Sequence, residues 1–131
     1  MATAIKLGKR PPHLEATVSF PMPDPDTGKP GTGSLVCRFK YRTQTEFGAW
    51  LDAKAQAHGL DAPAVTNNAD LYHRVCENTA DSLLDVLIGW DLPDQPLTPG
   101  TAMQLIDELP AAGLAILSAY REAITEGRLG N

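Results

Sequence analysis

The sequence predicts an α+β fold in which an N-terminal antiparallel β-hairpin packs on a mostly helical C-terminal part of about four helices. Three observations support this prediction. Apolar and polar residues alternate with period two over residues 13–20 and 34–42, which is typical of half-buried strands. From residue 68 onward, apolar residues recur at helical spacing. Clusters of proline and glycine separate these stretches.

The two predicted strands each have one apolar face. These faces consist of Leu14, Ala16, Val18 and Phe20 in the first strand and Leu35, Cys37, Phe39 and Tyr41 in the second. The link, residues 21–33, is rich in proline and glycine and contains the turn signal Asp26-Thr27-Gly28, so we expect a long exposed loop. Because a hairpin alone is only marginally stable, helices must cover its apolar face.

The first two helices are predicted from capping and periodicity. Thr43 and Glu46 match a capping box, and the helix that they start should stop near Gly59. A longer helix should follow Asn68 and end near Trp90. Its apolar arc consists of Tyr72, Val75, Cys76, Ala80, Leu83, Val86, Leu87 and Trp90, extended by Leu84 and Ile88. Glu77, Asp81 and Asp85 lie opposite this arc, on a face that we expect to be solvated.

The last two helices are separated by a proline. Residues 91–100 contain three prolines and form a loop, after which Thr101 can cap a short helix that reaches Leu109. Pro110 breaks that helix and suits the first position of the next one. We expect the last helix to bury Leu114, Ile116, Leu117, Tyr120 and Ile124 and to fray near Gly127.

Length and composition indicate one soluble domain. The chain has 131 residues, of which 43% are hydrophobic and 21% charged, as in globular proteins. We expect residues 1–12 to form a mobile arm and residues 13–131 to form a single domain. No apolar run approaches the roughly 20 residues of a membrane span, and residues 1–10 lack the apolar core of a signal peptide. The expected location is the cytoplasm, with Cys37 and Cys76 as free, buried thiols.

Glycine-rich and metal-like patterns are incomplete. Residues 28–34 have the glycine content of a phosphate loop, but the lysine comes early, a proline removes a donor and a strand follows. His73, Cys76 and Glu77 have the spacing of helical ligands, yet a zinc site needs three or four ligands at defined positions. No nucleophile motif is present either. We therefore expect a binding protein that is not an enzyme and holds no cofactor or metal.

Charge argues against two classes of partner. The net charge of −5 disfavours nucleic acid and anionic membrane. Arg38, Lys40 and Arg42 give the second strand a basic face, but no aromatic residues are interleaved with them for nucleic-acid binding. The acidic residues opposite the arc of the long helix could meet a basic partner, although a solvated face is their commoner role.

Trp90 has the most informative context in the sequence. On the helical prediction it closes the longest helix and is followed by Asp91 and a proline-rich loop. Because tryptophan buries so much area, a core anchor is the favoured interpretation. The alternative is that Trp90 holds the loop and the last two helices in a pose that suits a partner.

From Gly89 onward, the order of motifs resembles that of the phage tail assembly chaperones of long-tailed phages and prophages. Gly89-Trp90-Asp91 is followed by a polar loop with prolines, a Leu105-to-Pro110 segment, an Ala119-Tyr120 helix and an Arg-x-x-Asn end. The helix start from Arg42 to Phe47 matches more loosely. The long hairpin link and Ala102, where this family has a bulkier apolar residue, depart from the pattern.

This resemblance implies a non-enzymatic protein that binds the tape measure protein and the tail tube protein during tail assembly. Such a protein works in the cytoplasm of the bacterial host and is not expected in the mature virion. Structural or partner-contact candidates are Trp90, Asp91, Leu109, Pro110 and Tyr120. Self-association is left open, and the alternative function is a small structural or tail-completion protein of the phage particle.

Overall fold

A three-stranded antiparallel sheet and four helices make up the described residues, 2–58 and 64–129, of this computed structural model. In chain order the elements are β1 (Leu14–Pro23), β2 (Pro30–Phe39), α1 (Gln44–Ala57), α2 (Asn68–Val86), β3 (Leu87–Trp90), α3 (Pro99–Glu108) and α4 (Pro110–Glu126). β2 lies between β1 and β3. The α+β prediction, with a hairpin followed by helices, is confirmed.

β1 and β2 pair from Leu14 opposite Phe39 to Pro23 opposite Pro30. The predicted alternation is confirmed from Ala16 to Phe20 and from Leu35 to Phe39, where the inward-facing residues are buried, while Leu14 is half-buried. The predicted loop is too long, because the strands continue to Pro23 and from Pro30 and only residues 24–29 connect them. β1 tolerates its prolines because it is an edge strand, one side of which pairs with no other strand.

The turn between β1 and β2 is held by Asp24. Its Oδ1 accepts hydrogen bonds from the backbone N–H of Asp26 at 2.8 Å and of Thr27 at 3.0 Å. These two bonds lower the pKa of the Asp24 carboxyl. Gly28 follows with a φ of +73°, which L-residues other than glycine rarely adopt. The turn predicted at residues 26–28 is therefore present, within a shorter connection.

The longest helix ends earlier than predicted. α2 stops at Val86, and Leu87–Trp90 form β3, which pairs with β2 so that Trp90 lies opposite Cys37. The prediction that Trp90 closes this helix was wrong. A short apolar run such as residues 86–90 fits a helix or a buried strand equally well. The open edge of β2 decides between them, because it offers backbone partners that a helical segment could not use.

Only the C-terminal half of the predicted apolar arc lies in the core. Ala80, Leu83 and Val86 are buried, but Tyr72 is 69% exposed and Val75 is 48% exposed. The placement of Tyr72 and Val75 in the core was wrong. The apolar arc of α2 therefore continues toward the N-terminus beyond the part of the helix that packs in the core.

Both helix starts around α1 and α3 are capping boxes. Thr43 caps α1 as predicted: its Oγ1 accepts from the Glu46 N–H at 3.2 Å, and Glu46 Oε1 accepts from the Thr43 N–H at 2.9 Å. α1 ends at Ala57 with His58 as C-cap, and the predicted stop near Gly59 lies outside the described residues. α3 is capped by Thr98 rather than by Thr101, which instead occupies the third helical position of the box.

α3 and α4 meet at Pro110, and their axes are bent by 113°. Pro110 stands in the first turn of α4, as predicted. Ile116 and Tyr120 are buried as predicted, whereas Leu114 is 71% exposed, contrary to prediction. α4 packs on β1 and on α2 and α3, and it covers the apolar face of the sheet. Within the described ranges no single helix is long and apolar enough to cross a membrane, although the bent pair α3–α4 passes that test when taken together.

Candidate functional site

The Gly89-Trp90-Asp91 segment fastens a loop to the sheet. The Trp90 ring is 6% exposed, and its Nε1 donates a hydrogen bond to the Gln95 carbonyl oxygen at 2.7 Å. Asp91 Oδ1 accepts from the Val36 N–H at 2.9 Å, which continues the attachment of this segment to β2. Trp90 is therefore a core residue, and Asp91 is an exposed residue whose carboxylate binds the backbone of β2.

Gly89 lies against the side chain of Arg38. A Cβ at this position would lie 2.6 Å from a guanidinium nitrogen of Arg38. Arg38 thus lies against β3 rather than standing free on a basic strand face. Because the nearby atoms are the end of a flexible side chain, a shift of Arg38 could accommodate a Cβ at this position.

Tyr120 is fully buried and is held by Arg42. The Tyr120 hydroxyl oxygen accepts from Arg42 Nη1 at 2.9 Å, and the guanidinium lies 5.3 Å from the Trp50 ring centre. Burial raises the pKa of Tyr120, and the Arg42 contact only partly opposes this effect. The prediction that Arg42 belongs to an outward basic face was wrong, because β2 ends at Phe39 and the strand alternation ends with it.

The acidic stripe of α2 is partly engaged within the protein. Asp85 Oδ2 accepts from Trp50 Nε1 at 2.9 Å and binds Lys54 Nζ at 2.6 Å. Lys54 also binds Asp81 at 2.6 Å. Burial disfavours the Asp85 carboxylate, but its contacts with Lys54 and Trp50 outweigh burial and lower its pKa. The Asp81 and Asp85 side chains are 56% and 35% exposed, so the prediction of a solvated face holds only in part, and these two residues at the C-terminal end of the stripe also join α2 to α1.

Leu109 and Pro110 stand at the joint of α3 and α4. Leu109 is half-buried and lines a small cleft of about 120 Å³ between α3 and the loop that Trp90 holds. Leu92, Gln95, Thr101, Gln104, Leu105 and Glu108 complete its lining. Pro110 is exposed and sets the start of α4. The structure thus distributes the five predicted residues over the sheet, the core and this joint and does not bring them into one site.

A larger depression, which we call the α2–α3 groove, lies between the N-terminal half of α2 and α3. It has a volume of about 420 Å³ and is lined by Ala69, Tyr72, His73, Cys76, Met103, Gln104 and Asp107. Sequence reasoning missed this groove because it assigned Tyr72 to the core. The available signal was the position of Tyr72 and Val75 toward one margin of the helical arc, beside polar positions.

The described ranges hold no group of three or more His, Cys, Asp or Glu side chains that could bind a metal. Burial and, secondarily, the Asp91 charge raise the pKa of the Cys37 thiol to about 12, so it is protonated at neutral pH. Cys76 is half-buried at the groove. The groove instead offers apolar side chains with a carboxylate beside them.

The fold and these surfaces define a small α+β protein with an apolar groove between two helices, the kind of surface that accommodates another polypeptide. Residues 1–131 match the family described as phage tail assembly chaperone, and the chain belongs to that family. No curated protein and no solved structure shows significant similarity to it. The resemblance that rested mainly on the last forty or so residues is confirmed over the whole chain. Membership implies a non-enzymatic role in tail assembly.

Proposed function

We propose that this protein binds the tape measure protein and the tail tube subunits while a phage or prophage tail is assembled. It acts in the cytoplasm of the bacterial host, catalyses no reaction and is released before the virion is complete. Family membership over residues 1–131 is the observation that carries this proposal. The exposed apolar side chains of α2 supply a physical means of binding.

The proposed mechanism is the temporary covering of apolar helix surface. A long helical client exposes apolar faces until the tube polymerises around it, and such faces associate with one another in water. A small protein that covers them must later be displaced. The contact should therefore be modest in area, at or below the roughly 1,200 Å² of weak, transient interfaces.

The test is co-expression with the tape measure protein of the same genome, followed by purification of complexes and of finished tails. We expect the two proteins to co-purify, the client to remain soluble only when this chain is present, and the tail tube protein to bind the complex. Quantitative mass spectrometry of purified tails should find little of this chain. Stoichiometric amounts in mature tails would instead support a structural or tail-completion protein.

A further inference from the structure

We propose that the α2–α3 groove receives an amphipathic helix whose apolar stripe is flanked by lysine or arginine. The proposal rests on the proposed function in that such a helix would belong to a tail protein. The class of ligand, however, follows from the shape, the apolar content and the charge of the groove itself.

The apolar content of the groove comes from both walls. Ala69, Tyr72 and Cys76 of α2 and Met103 of α3 line it, and Tyr72 is 69% exposed. Leu71 and Val75, which stand four residues apart on α2, are 40% and 48% exposed but are not among the groove-lining residues. Scattered exposed apolar residues are ordinary, but a contiguous cluster with an exposed aromatic ring is typical of a protein interface. The N-terminal half of α2 therefore exposes apolar side chains that a ligand could cover, whereas its C-terminal half packs in the core.

The shape of the surface suits a helix. Two helices form its walls, and it has a volume of about 420 Å³. A third helix laid between two others buries its apolar stripe in such a groove. Met103 lines the α3 wall, and its unbranched side chain can adjust to different partners. The capping box at Thr98 and Thr101 fixes the start of that wall.

The charge of the groove walls determines which charged residues should flank the apolar stripe of the ligand. The wall segments, residues 68–79 and 99–108, contain four carboxylates and one guanidinium, that of Arg74. Arg74 already binds Asp70 at 3.4 Å. Asp107 lines the groove, and Glu77 contacts His73 on its α2 wall, whereas Glu108 lines the smaller cleft beside Leu109. Basic flanks on the ligand would complement these carboxylates, and acidic flanks would be repelled. A second copy of this acidic chain is less complementary for the same reason.

Cys76 allows the occupancy of the groove to be measured directly. It lines the groove, whereas Cys37 is fully buried and has a pKa of about 12, so a thiol reagent should modify Cys76 in the folded protein. The probe is a synthetic leucine–lysine amphipathic helix of about 20 residues, long enough for several turns. The control is the same leucine stripe with glutamate in place of lysine. We expect the lysine helix to slow modification of Cys76 by about tenfold or more, and the glutamate helix to have little effect.

Two substitutions of equal charge separate docking from general attraction. Tyr72→Glu changes an exposed residue of the groove, and Leu114→Glu changes an exposed leucine of α4, which is not among the groove-lining residues. Both make the protein more acidic, so non-specific attraction of the lysine helix would grow in both. We expect Tyr72→Glu to raise the Kd about tenfold or more and Leu114→Glu to leave it nearly unchanged. Circular dichroism would check that both variants are folded.

The outcomes distinguish this inference from the proposed function. Unprotected Cys76, equal binding of both synthetic helices, or equal effects of the two substitutions would each overturn the inference. The inference would also be overturned if Tyr72→Glu abolished self-association while the lysine helix failed to protect Cys76, since the groove would then bind a second copy of this chain. If the tape measure protein binds the wild type and Tyr72→Glu with the same affinity, the proposed function stands and the inference fails. If the lysine helix protects Cys76 but no tail protein binds, the function fails and the inference stands.

Discussion

The indole of Trp90 connects the sheet to the loop that leads into α3. Its ring is buried beside the β2–β3 pairing, and its N–H is bound to the Gln95 carbonyl oxygen. Trp90→Ala should lower the free energy of unfolding by about 3–5 kcal/mol, because a large cavity replaces the ring. Urea denaturation followed by circular dichroism measures this loss. Trp90→Phe keeps most of the ring and should cost less. Unchanged stability in Trp90→Ala would show that the ring is not a core anchor.

Gly113 permits the close approach of α4 to α2 and α3. A Cβ there would overlap Ile106 Cδ1 and would lie 3.0 Å from Thr79 Cγ2. Alanine favours a helix over glycine by about 1 kcal/mol, but overpacking a core costs about 1–3 kcal/mol. We expect Gly113→Ala to be destabilising on balance, as measured by the urea midpoint. Ile106→Val removes the overlapping methyl group, so the double variant should be more stable than the sum of the single effects. Simple additivity would contradict the overlap.

Individual residues were predictable where the rule that governs them is local. Thr43 as a cap and Pro110 as a helix start follow from the neighbouring residues alone, and both predictions are confirmed. Arg42 was misplaced because its partners are the Tyr120 hydroxyl, 78 residues away, and the Trp50 ring on the helix that follows the strand. No spacing rule along the strand contains that information.

At the scale of elements, the start of α1 depends on one ionised side chain. Glu46 accepts from the Thr43 N–H and binds Arg10 through both carboxylate oxygens, at 2.8 and 3.0 Å. The Arg10 hydrogen bonds, followed by the Thr43 backbone bond, lower the pKa of Glu46 from 4.5 to about 2. Because the pKa is lower in the folded state, this stabilisation is present above pH 4.5 and is lost as the pH falls toward about 2.

Glu46→Gln tests this dependence. Glutamine keeps the capping geometry but loses the charge that Arg10 binds. We expect a lower Tm than wild type at pH 6, and the difference should shrink steadily as the pH is lowered from 4.5 to 2. The effect should be small, since both side chains of the ion pair are about half exposed. A difference that is constant with pH would show that the Arg10 contact does not contribute.

The elements themselves were predictable to different degrees. Alternation and capping placed both hairpin strands and the start of α1. Residues 87–90 were assigned to a helix because periodicity in a short apolar run does not reveal the strand edge beside which it will lie. The same limit applies to Leu114, whose exposure depends on how α4 is angled against α3 and the sheet.

For the whole molecule, the groove could not be foreseen because it is a product of packing. Its two walls are separated by more than twenty residues in the sequence, and the sheet strand β3 and the loop after Trp90 lie between them. The family resemblance identified the class of protein from motifs that hold the architecture together. The surface proposed to bind lies only partly within those motifs: its α2 wall is outside them, and its α3 wall includes Asp107 of the Leu105-to-Pro110 segment. The motifs that carry the resemblance thus cover the architecture and only part of the proposed binding surface.

The prediction of a single domain from residue 13 onward can be tested with the two tryptophans. Trp50 lies on α1 and Trp90 in β3, so each reports on a different region. In each of the variants Trp50→Phe and Trp90→Phe, the unfolding curve from the remaining tryptophan's fluorescence and the curve from circular dichroism should have the same midpoint, as a cooperative unit requires.

The N-terminal boundary of the domain is tested by a deletion. Deleting residues 2–9, which are all exposed, should leave the unfolding midpoint nearly unchanged because Arg10 and its contact with Glu46 remain. A large fall in the midpoint on deletion would assign residues 2–9 to the domain. In the tryptophan variants, separate midpoints for fluorescence and circular dichroism would mean that the helices and the sheet unfold independently.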